Sequence, residues 1–347
     1  VNRYTKIRDF HGERSRGVGS SDIPVLAGLY RNYGSTTLKL WQQKTGRIER
    51  WNGNERTAWG HKLEGMVLRE FIARHYDEDA ADEFIVAKRR GRSTGPFKTE
   101  TEARHPERPY CLAHADLVVH FDRAQDSEEP YIVEAKTAGM MSGKRREGVI
   151  FSGYDPDDLT AQGIPDAVYL QVQWQMYVYG VSTSYVAVLI DTADYREYGP
   201  ISSDARVQEK CLALAERFWR LVETDTTPAP ETWDDVQALF PHQADTTAMV
   251  GGEDELRIRE MIGRDKDLSA RIKALEEERE DIKNAVGILI GGNSVLAAAD
   301  GQVLAKSAEQ TRESVALSKI AKAAPDIEAQ LRQLGLVTTS TYRTVRY

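Results

Sequence analysis

The stretch that most constrains this chain is a pair of strand-like runs with charged residues at fixed places. Leu112 to Phe121 alternates weakly between apolar and polar side chains, and Tyr131 to Ala135 reads as its partner. The acidic Asp126-Ser127-Glu128-Glu129-Pro130 forms the turn between them. Asp116 lies on the first run, and Glu134 and Lys136 lie on the second. Side chains alternate across a strand, so Glu134 and Lys136 point to one face, and antiparallel pairing brings Asp116 within reach of it. Two carboxylates bind a hard cation through oxygen, and a bound cation lowers the pKa of a coordinated water. The Lys136 ammonium can orient that water or offset the charge that builds on a phosphorus centre. This is the D-xn-E-x-K arrangement that suits phosphodiester hydrolysis. Taken alone, the three residues also fit a solvated strand face.

Around these runs the pattern predicts a mixed α/β body. Thr37 to Lys44 is predicted helical, with Gly46 as its stop, and Trp59 to Tyr76 is a stronger helix with Leu63, Val67, Phe71 and Ile72 as its apolar stripe. Phe84 to Lys88 is predicted as a strand. Val168 to Tyr179 is apolar and aromatic at helical spacing and stops at Gly180. Ser184 to Asp191 reads as a buried strand, and Val207 to Val222 as an amphipathic helix. Composition then shifts to Thr, Pro, Asp and paired glycines. We therefore divide the chain into a body, 1–225, a linker, 226–252, and an extension, 253–347. The extension opens with a long charged helix on which Met261, Leu268, Ile272, Leu275, Ile282, Val286 and Leu289 form a heptad seam, interrupted by Asp265 and Arg279. Such a helix packs on the body, on an antiparallel neighbour, or in an intermolecular coiled coil. It stops at Gly291-Gly292-Asn293. A hairpin around Asp300-Gly301, a short helix from Ser314 and a last strand, Ser340 to Tyr347, are predicted to follow.

Composition removes several function classes. The 347 residues include only two cysteines, Cys111 and Cys211, which excludes a disulfide scaffold, an all-cysteine zinc site and a four-cysteine iron–sulfur cluster. The usage fits a reducing cytoplasm. Lys and Arg number 46 against 54 Asp and Glu, a net charge of −8, which argues against a non-specific nucleic-acid coat but allows a local basic groove around an acidic site. No apolar run reaches the ~18 residues that span a bilayer, so no membrane partner is expected, and the first residues lead into no hydrophobic signal region.

Further residues add to the cluster. Glu64 sits on the helix that follows Trp59-Gly60-His61-Lys62-Leu63, where a third carboxylate can reach a metal or can simply face solvent. Gln173 and Tyr177 are four apart on one helix face and can present polar tips to a metal-bound water or a phosphate, or Tyr177 can face the core. In Arg14-Ser15-Arg16-Gly17-Val18-Gly19-Ser20-Ser21-Asp22-Ile23, Ser20 or Ser21 can be an ordinary helix cap. Alternatively, Ser21 with Arg14 or Arg16 makes a phosphate seat at a helix start. The spacing of a nucleotide-binding P-loop is absent. The basic, glycine-bounded loop with Lys144 and Arg145 follows the Glu134 strand, where a DNA backbone would run, although an isolated charge run is more often a solvated loop.

The order of these pieces resembles the YqaJ-like viral recombinase family, in the lambda-exonuclease branch of the PD-(D/E)XK nucleases. Ser20-Ser21-Asp22-Ile23 comes first, then Leu40-Trp41-Gln42-Gln43-Lys44-Thr45-Gly46, Gly60 and Glu64. Asp116, Glu134-Ala135-Lys136 and Gln171-Val172-Gln173-Trp174-Gln175-Met176-Tyr177 follow. The resemblance covers residues 10 to 225. It implies an α/β (α+β) restriction-endonuclease-like core, a central mixed sheet flanked by helices, with the long-helix extension appended. It implies that Asp116, Glu134 and the Ala135 carbonyl hold Mg2+ or Mn2+, that Lys136 is the catalytic lysine and Glu64 the helix-borne acid. Gln173 matches the polar position of the downstream helix. Ser21 and Arg14 match residues that hold a terminal phosphate, with Arg16 in reserve. One departure stands out: the family often has Ser-Pro-Asp-Gly around the first Asp, and here the residues are His114-Ala115-Asp116-Leu117. His114 can replace the missing phosphate contact, touch metal, or be structural. The implied activity is 5′→3′ exonuclease action on linear duplex DNA in phage recombination, with a single-strand annealing protein as partner. A homo-oligomer in the bacterial host cytoplasm is also implied. Two rivals stay open: a RecB-like nuclease of other polarity without an iron–sulfur cluster, and a catalytically silent DNA-end-binding or scaffold protein.

Overall fold

The computed structural model describes residues 5–6, 16–31, 34–49, 54–119, 129–138, 163–191, 193–242, 246–309 and 317–337. Two compact units divide the chain, Val1–Phe240 and Pro241–Tyr347. In the first, the described strands are β1 (Thr5–Lys6), β2 (Phe97–Arg104), β3 (Leu112–Val119), β4 (Tyr131–Ala138), β5 (Thr183–Ile190) and β6 (Asp194–Ser202). Its described helices are α1 (Ile23–Leu26), α2 (Thr37–Lys44), α3 (Glu55–His75), α4 (Glu78–Arg89), α5 (Asp166–Tyr179), α6 (Ala205–Glu223) and α7 (Trp233–Leu239). The strands form one mixed sheet in the order β1-β2-β3-β4-β5-β6. All neighbours are antiparallel except β4 and β5, which run parallel and are joined through α5.

Burial explains the layering. Val67, Leu68, Phe71 and Ile72 of α3 and Ala81 and Phe84 of α4 pack with Leu117, Val119, Val133 and Ala187 on one face of the sheet. Leu38 and Trp41 of α2, Val172, Trp174 and Met176 of α5, and Cys211, Ala215 and Phe218 of α6 pack with Ala115, Ile132, Val186 and Val188 on the other. The result is a central mixed sheet between two helical layers, the fold class expected from the sequence.

The segment Phe84 to Lys88, predicted as a strand, lies within α4. Asp77 caps this helix, its side chain accepting from the Ala80 N–H, and Ala81 and Phe84 form the buried side three residues apart. The β-branched Ile85-Val86 pair suggested a strand, and the helical burial stripe overrides it. Strands β2 and β6 were not expected. Both carry polar and charged residues at most positions, so they show no apolar alternation.

The ladder between β3 and β4 is short. It pairs Leu117 with Val133, Val118 with Ile132 and Val119 with Tyr131. The next residues, Asp116 and Glu134, lie where that pairing ends. Side chains of α5 take up backbone groups of β3 beyond this fork: Trp174 Nε1 donates to the Leu112 carbonyl (2.8 Å), Gln175 Nε2 to the His114 carbonyl (2.7 Å), and the Ala115 N–H donates to Tyr179 Oη (3.1 Å). A fork that exposed unpaired backbone to the core would be costly, and α5 supplies the missing partners.

The expected linker begins as part of the body. Helix α7 lies in it, and its buried Asp235 accepts from Thr36 Oγ1 (2.7 Å) and from the Glu231 N–H (2.9 Å). Glu231 accepts from the Thr37 N–H and pairs with Arg31. In the second unit, α8 (Gly252–Ile290) is a 39-residue helix. A hairpin, β7 (Val295–Ala297) with β8 (Val303–Lys306), follows, then α9 (Leu317–Ala323) and α10 (Pro325–Gln333). The long helix and the hairpin match the sequence reading; α10, opened by Pro325, was not anticipated. The terminal strand expected over Ser340 to Tyr347 lies outside the described residues.

Candidate active site

The fork places Asp116 and Glu134 together. Asp116 Oδ2 accepts the Ala135 N–H at 2.8 Å, which ties the first carboxylate to the strand that carries the second. Lys136 Nζ donates to Glu134 Oε1 at 2.5 Å and to Gln171 Oε1 at 3.1 Å. A cavity of about 320 Å³ opens here, lined by Thr57, Gly60, His61, Glu64, Asp116, Glu134, Ala135, Lys136 and Thr137. Glu64 enters from α3 and is paired with Lys88 Nζ of α4 at 3.1 Å. Four residues from three separate stretches of sequence therefore share one cavity.

Burial dominates the electrostatics. Loss of water, then the charges of Glu134 and Glu64, push the Asp116 carboxyl well above the usual range, against the opposing pull of Lys136 and the Ala135 N–H. Burial works against the Lys136 ammonium, but Glu134 and Asp116 outweigh it and hold that lysine above its ordinary pKa. A neutralising cation would relieve this cluster of carboxylates.

The residues present fit a hard divalent ion in donor chemistry, since Asp116, Glu134 and Glu64 all offer oxygen. Among the described residues, no group of three or more His, Cys, Asp or Glu side chains is arranged to hold a metal. Any ion would rest on the Asp116 and Glu134 pair with backbone or water oxygen, and Glu64 is engaged by Lys88.

The downstream helix contributes through residues other than those singled out. Gln173 is fully buried and turns away from the cavity. Its Nε2 donates to the Ser202 carbonyl, and its Oε1 accepts from the Asp204 N–H. Tyr177 stacks on His105, with ring centroids 4.8 Å apart. The side chains that reach Glu134 are Gln171, whose Nε2 donates to Oε1 at 2.5 Å, and Gln175, whose Nε2 donates to Oε2 at 2.7 Å. The spacing of four was the right signal, but the phase was two residues out. The run Gln171-Val172-Gln173-Trp174-Gln175 offers three glutamines, and only the packing of Trp174 into the core selects the pair on the sheet side.

The remaining candidates are spread out. His114 Nδ1 lies 4.0 Å from Asp116 Oδ1, beside the cavity. Ser21 is exposed in the turn before α1, where Asp22 holds the cap position without a side-chain cap bond. Asp22 instead accepts from the Gly19 N–H at 2.8 Å and pairs with the buried Lys44 Nζ at 2.6 Å, which joins this turn to α2. Gly17 is needed for close approach, because a Cβ there would come within 2.5 Å of the Tyr110 carbonyl. Arg16 is exposed at the start of this segment. Arg14, Lys144 and Arg145 lie outside the described residues.

The fold and the fork define an α/β protein with a buried carboxylate–lysine cluster at the parting of two central strands. The family described as YqaJ-like viral recombinase domain matches residues 9–185, more than half of the chain, and this chain belongs to that family. Among solved structures, it is similar to an alkaline exonuclease, LHK-Exo, from Laribacter hongkongensis: 16% identity, 62% of this chain and 91% of that one, TM-score 0.40. LHK-Exo in complex with dAMP gives 17% identity, 61% and 90% coverage, and the same TM-score of 0.40. It is also similar to a phage related exonuclease from Haemophilus somnus 129PT: 13% identity, 60% and 96% coverage, TM-score 0.37. No curated protein matches. Among the described residues, no helix is long and apolar enough to cross a membrane.

Proposed function

We propose that this chain is a divalent-metal-dependent deoxyribonuclease that removes nucleotides from ends of linear duplex DNA. The observation that carries the reading is the convergence of Asp116, Glu134 and Lys136 at the β3–β4 fork, with Glu64 across the same cavity. Membership of a viral recombinase family supports a role in phage-type recombination.

Asp116, Glu134 and the Ala135 carbonyl would hold the ion, Mg2+ or Mn2+, which when bound supplies a water of lowered pKa and charge to offset the phosphate. The protein's own part is positional. Gln171 and Gln175 fix both oxygens of Glu134, so this carboxylate does not rotate away when substrate enters. Lys136 keeps its proton because Glu134 and Asp116 stabilise the ammonium, and it offers that charge to a non-bridging phosphate oxygen as negative charge accumulates. Glu64 sits where a carboxylate can accept a proton from an attacking water.

The finer features belong to the same proposal. The polarity is 5′→3′, and a single-strand annealing protein takes the exposed strand. The chain acts in the host cytoplasm. Ser21, with Arg14 or Arg16, receives the terminal phosphate; Lys144 and Arg145 follow the backbone. To test the reading, 5′- and 3′-labelled linear duplexes and a closed circle are incubated with the protein in Mg2+ and in EDTA. The expected result is loss of the 5′ label as mononucleotides from the linear duplex in Mg2+ alone. Label loss in EDTA, or nicking of the circle at the same rate, would overturn it. Duplexes with 5′-hydroxyl ends should be cut more slowly than those with 5′-phosphate; equal rates would remove the phosphate seat.

A further inference from the structure

We propose that α8 is a self-association element that pairs antiparallel with α8 of a second copy of this chain. The proposal stands apart from the nuclease reading and uses none of its residues.

The helix has 39 residues, about 58 Å of rise. Its apolar residues recur at alternating steps of four and three. One set is Ile258, Ile272 and Val286, with Asp265 and Arg279 in the same register; the other is Met261, Leu268, Leu275, Ile282 and Leu289. This is a coiled-coil seam, with the first set at the a positions and the second at d. It lies open: Met261 is 60% exposed, Leu275 62% and Leu289 69%. The flanks are charged and laced by pairs such as Arg259–Glu255 and Lys273–Glu277. A seam of this length on an otherwise polar helix is the pattern that a second helix covers.

Charge complementarity selects both the occupant and its direction. In a parallel pair of identical helices, Asp265 faces Asp265 and Arg279 faces Arg279, which seats two like-charged layers in the seam. Parallel pairing does gain rim pairs, Arg271 with Glu276 and Glu278 with Lys283, but rim pairs contribute little in solvent. In an antiparallel pair with its dyad between Lys273 and Ala274, Leu275 packs on Ile272 of the second copy and Met261 on Val286. Asp265 then lies three residues of rise, about 4.5 Å along the axis, from Arg279 of the second copy. The two interruptions meet as opposite charges, once at each end. Arg271 and Glu278 meet across the rim with opposite signs as well. Asp265 and Arg279 sit symmetrically about Ile272, so one chain supplies both halves of each pair.

The test uses the full chain in sedimentation equilibrium. The expected result is a dimer that L275D makes monomeric. D265R alone and R279D alone should each weaken it by about tenfold or more, and D265R with R279D together should restore it. Direction is read by mild oxidation, since the native Cys111 and Cys211 are buried. M261C with V286C should give a covalent dimer. M261C alone should give none, because the two copies of residue 261 lie about 37 Å apart along the axis. A monomeric wild type, an oligomer that survives L275D, a double charge swap that fails to rescue, or ready crosslinking of M261C alone would each overturn the proposal.

Discussion

Between Val1 and Phe240, apolar side chains close over a six-stranded sheet, and Phe71, Phe84 and Trp174 lose nearly all contact with water. Between Pro241 and Tyr347, Met261, Leu275 and Leu289 stay more than half exposed, and Ile290 is the buried hydrophobic residue among those described. Burial in the first unit is what perturbs its charges. Asp116 is awkward to ionise because the packed sheet has taken water away, and Glu134 is held by three side chains because α5 is wedged against the fork. The second unit carries more charge per residue on its long helix, yet no pKa shift is resolved on it, since its charges are solvated. Charge alone does not make a site; charge fixed beside a packed core does.

The contrast breaks first if the fork residues are dispensable. Asp116→Asn should abolish cleavage while DNA binding persists or improves, because the substitution removes a ligand charge and relieves repulsion from phosphate. Lys136→Ala should lower turnover by ~10²-fold or more, the size seen when a transition-state charge donor is lost. Its metal affinity, read by calorimetry, should stay near wild type; a parallel loss of metal binding would make Lys136 a structural residue.

A second test separates the units. A chain ending at Phe240 should keep hydrolysis within a few-fold of full length, because the cavity-lining residues all precede it. A chain ending at Thr227 should be less stable by ~1–3 kcal/mol, since it strands the buried Thr36 hydroxyl that Asp235 accepts. Urea melts of the two truncations measure the difference. A folded but inactive 1–240 chain would move part of the DNA path onto the second unit.

The two faces of α5 provide a finer comparison. Gln175→Ala and Gln173→Ala each remove buried hydrogen bonds, and each should cost ~1–3 kcal/mol of stability. Only Gln175→Ala should also lower kcat, by freeing Glu134. Equal kinetic effects would return Gln173 to the site.

The smallest effect is in pH. The folded Asp116 carboxyl titrates above its unfolded value, so its contribution to stability is full below the unfolded pKa and is lost as pH rises through the folded one. In EDTA, wild type should therefore lose Tm relative to Asp116→Asn between about pH 4 and about pH 8. A constant Tm difference would show that burial does not perturb Asp116.

Much of this was legible in the residues. The strands around Asp116 and Glu134, the helix bearing Glu64 and the long seam follow from periodicity and turn residues, because their burial is one-sided and regular. Three things were not. Strand β2, Phe97-Lys98-Thr99-Glu100-Thr101-Glu102-Ala103-Arg104, is too polar to show a strand pattern; it is held by its register with β3. Phe84-Ile85-Val86 has strand propensity that tertiary packing overrides. The choice among Gln171, Gln173 and Gln175 depends on how Trp174 seats in the core, a non-local fact that spacing along one helix does not contain.

The most direct measurement is single-turnover cleavage of a 5′-phosphorylated linear duplex in Mg2+, comparing wild type with Glu134→Gln under conditions where both bind DNA and share the same melting temperature. Glu134 is the residue on which Lys136, Gln171 and Gln175 all converge, so its charge is the centre of the proposed chemistry. The expected result is mononucleotide release by wild type and none by Glu134→Gln over many wild-type half-times. Release by Glu134→Gln at a wild-type rate would place the chemistry elsewhere in the molecule.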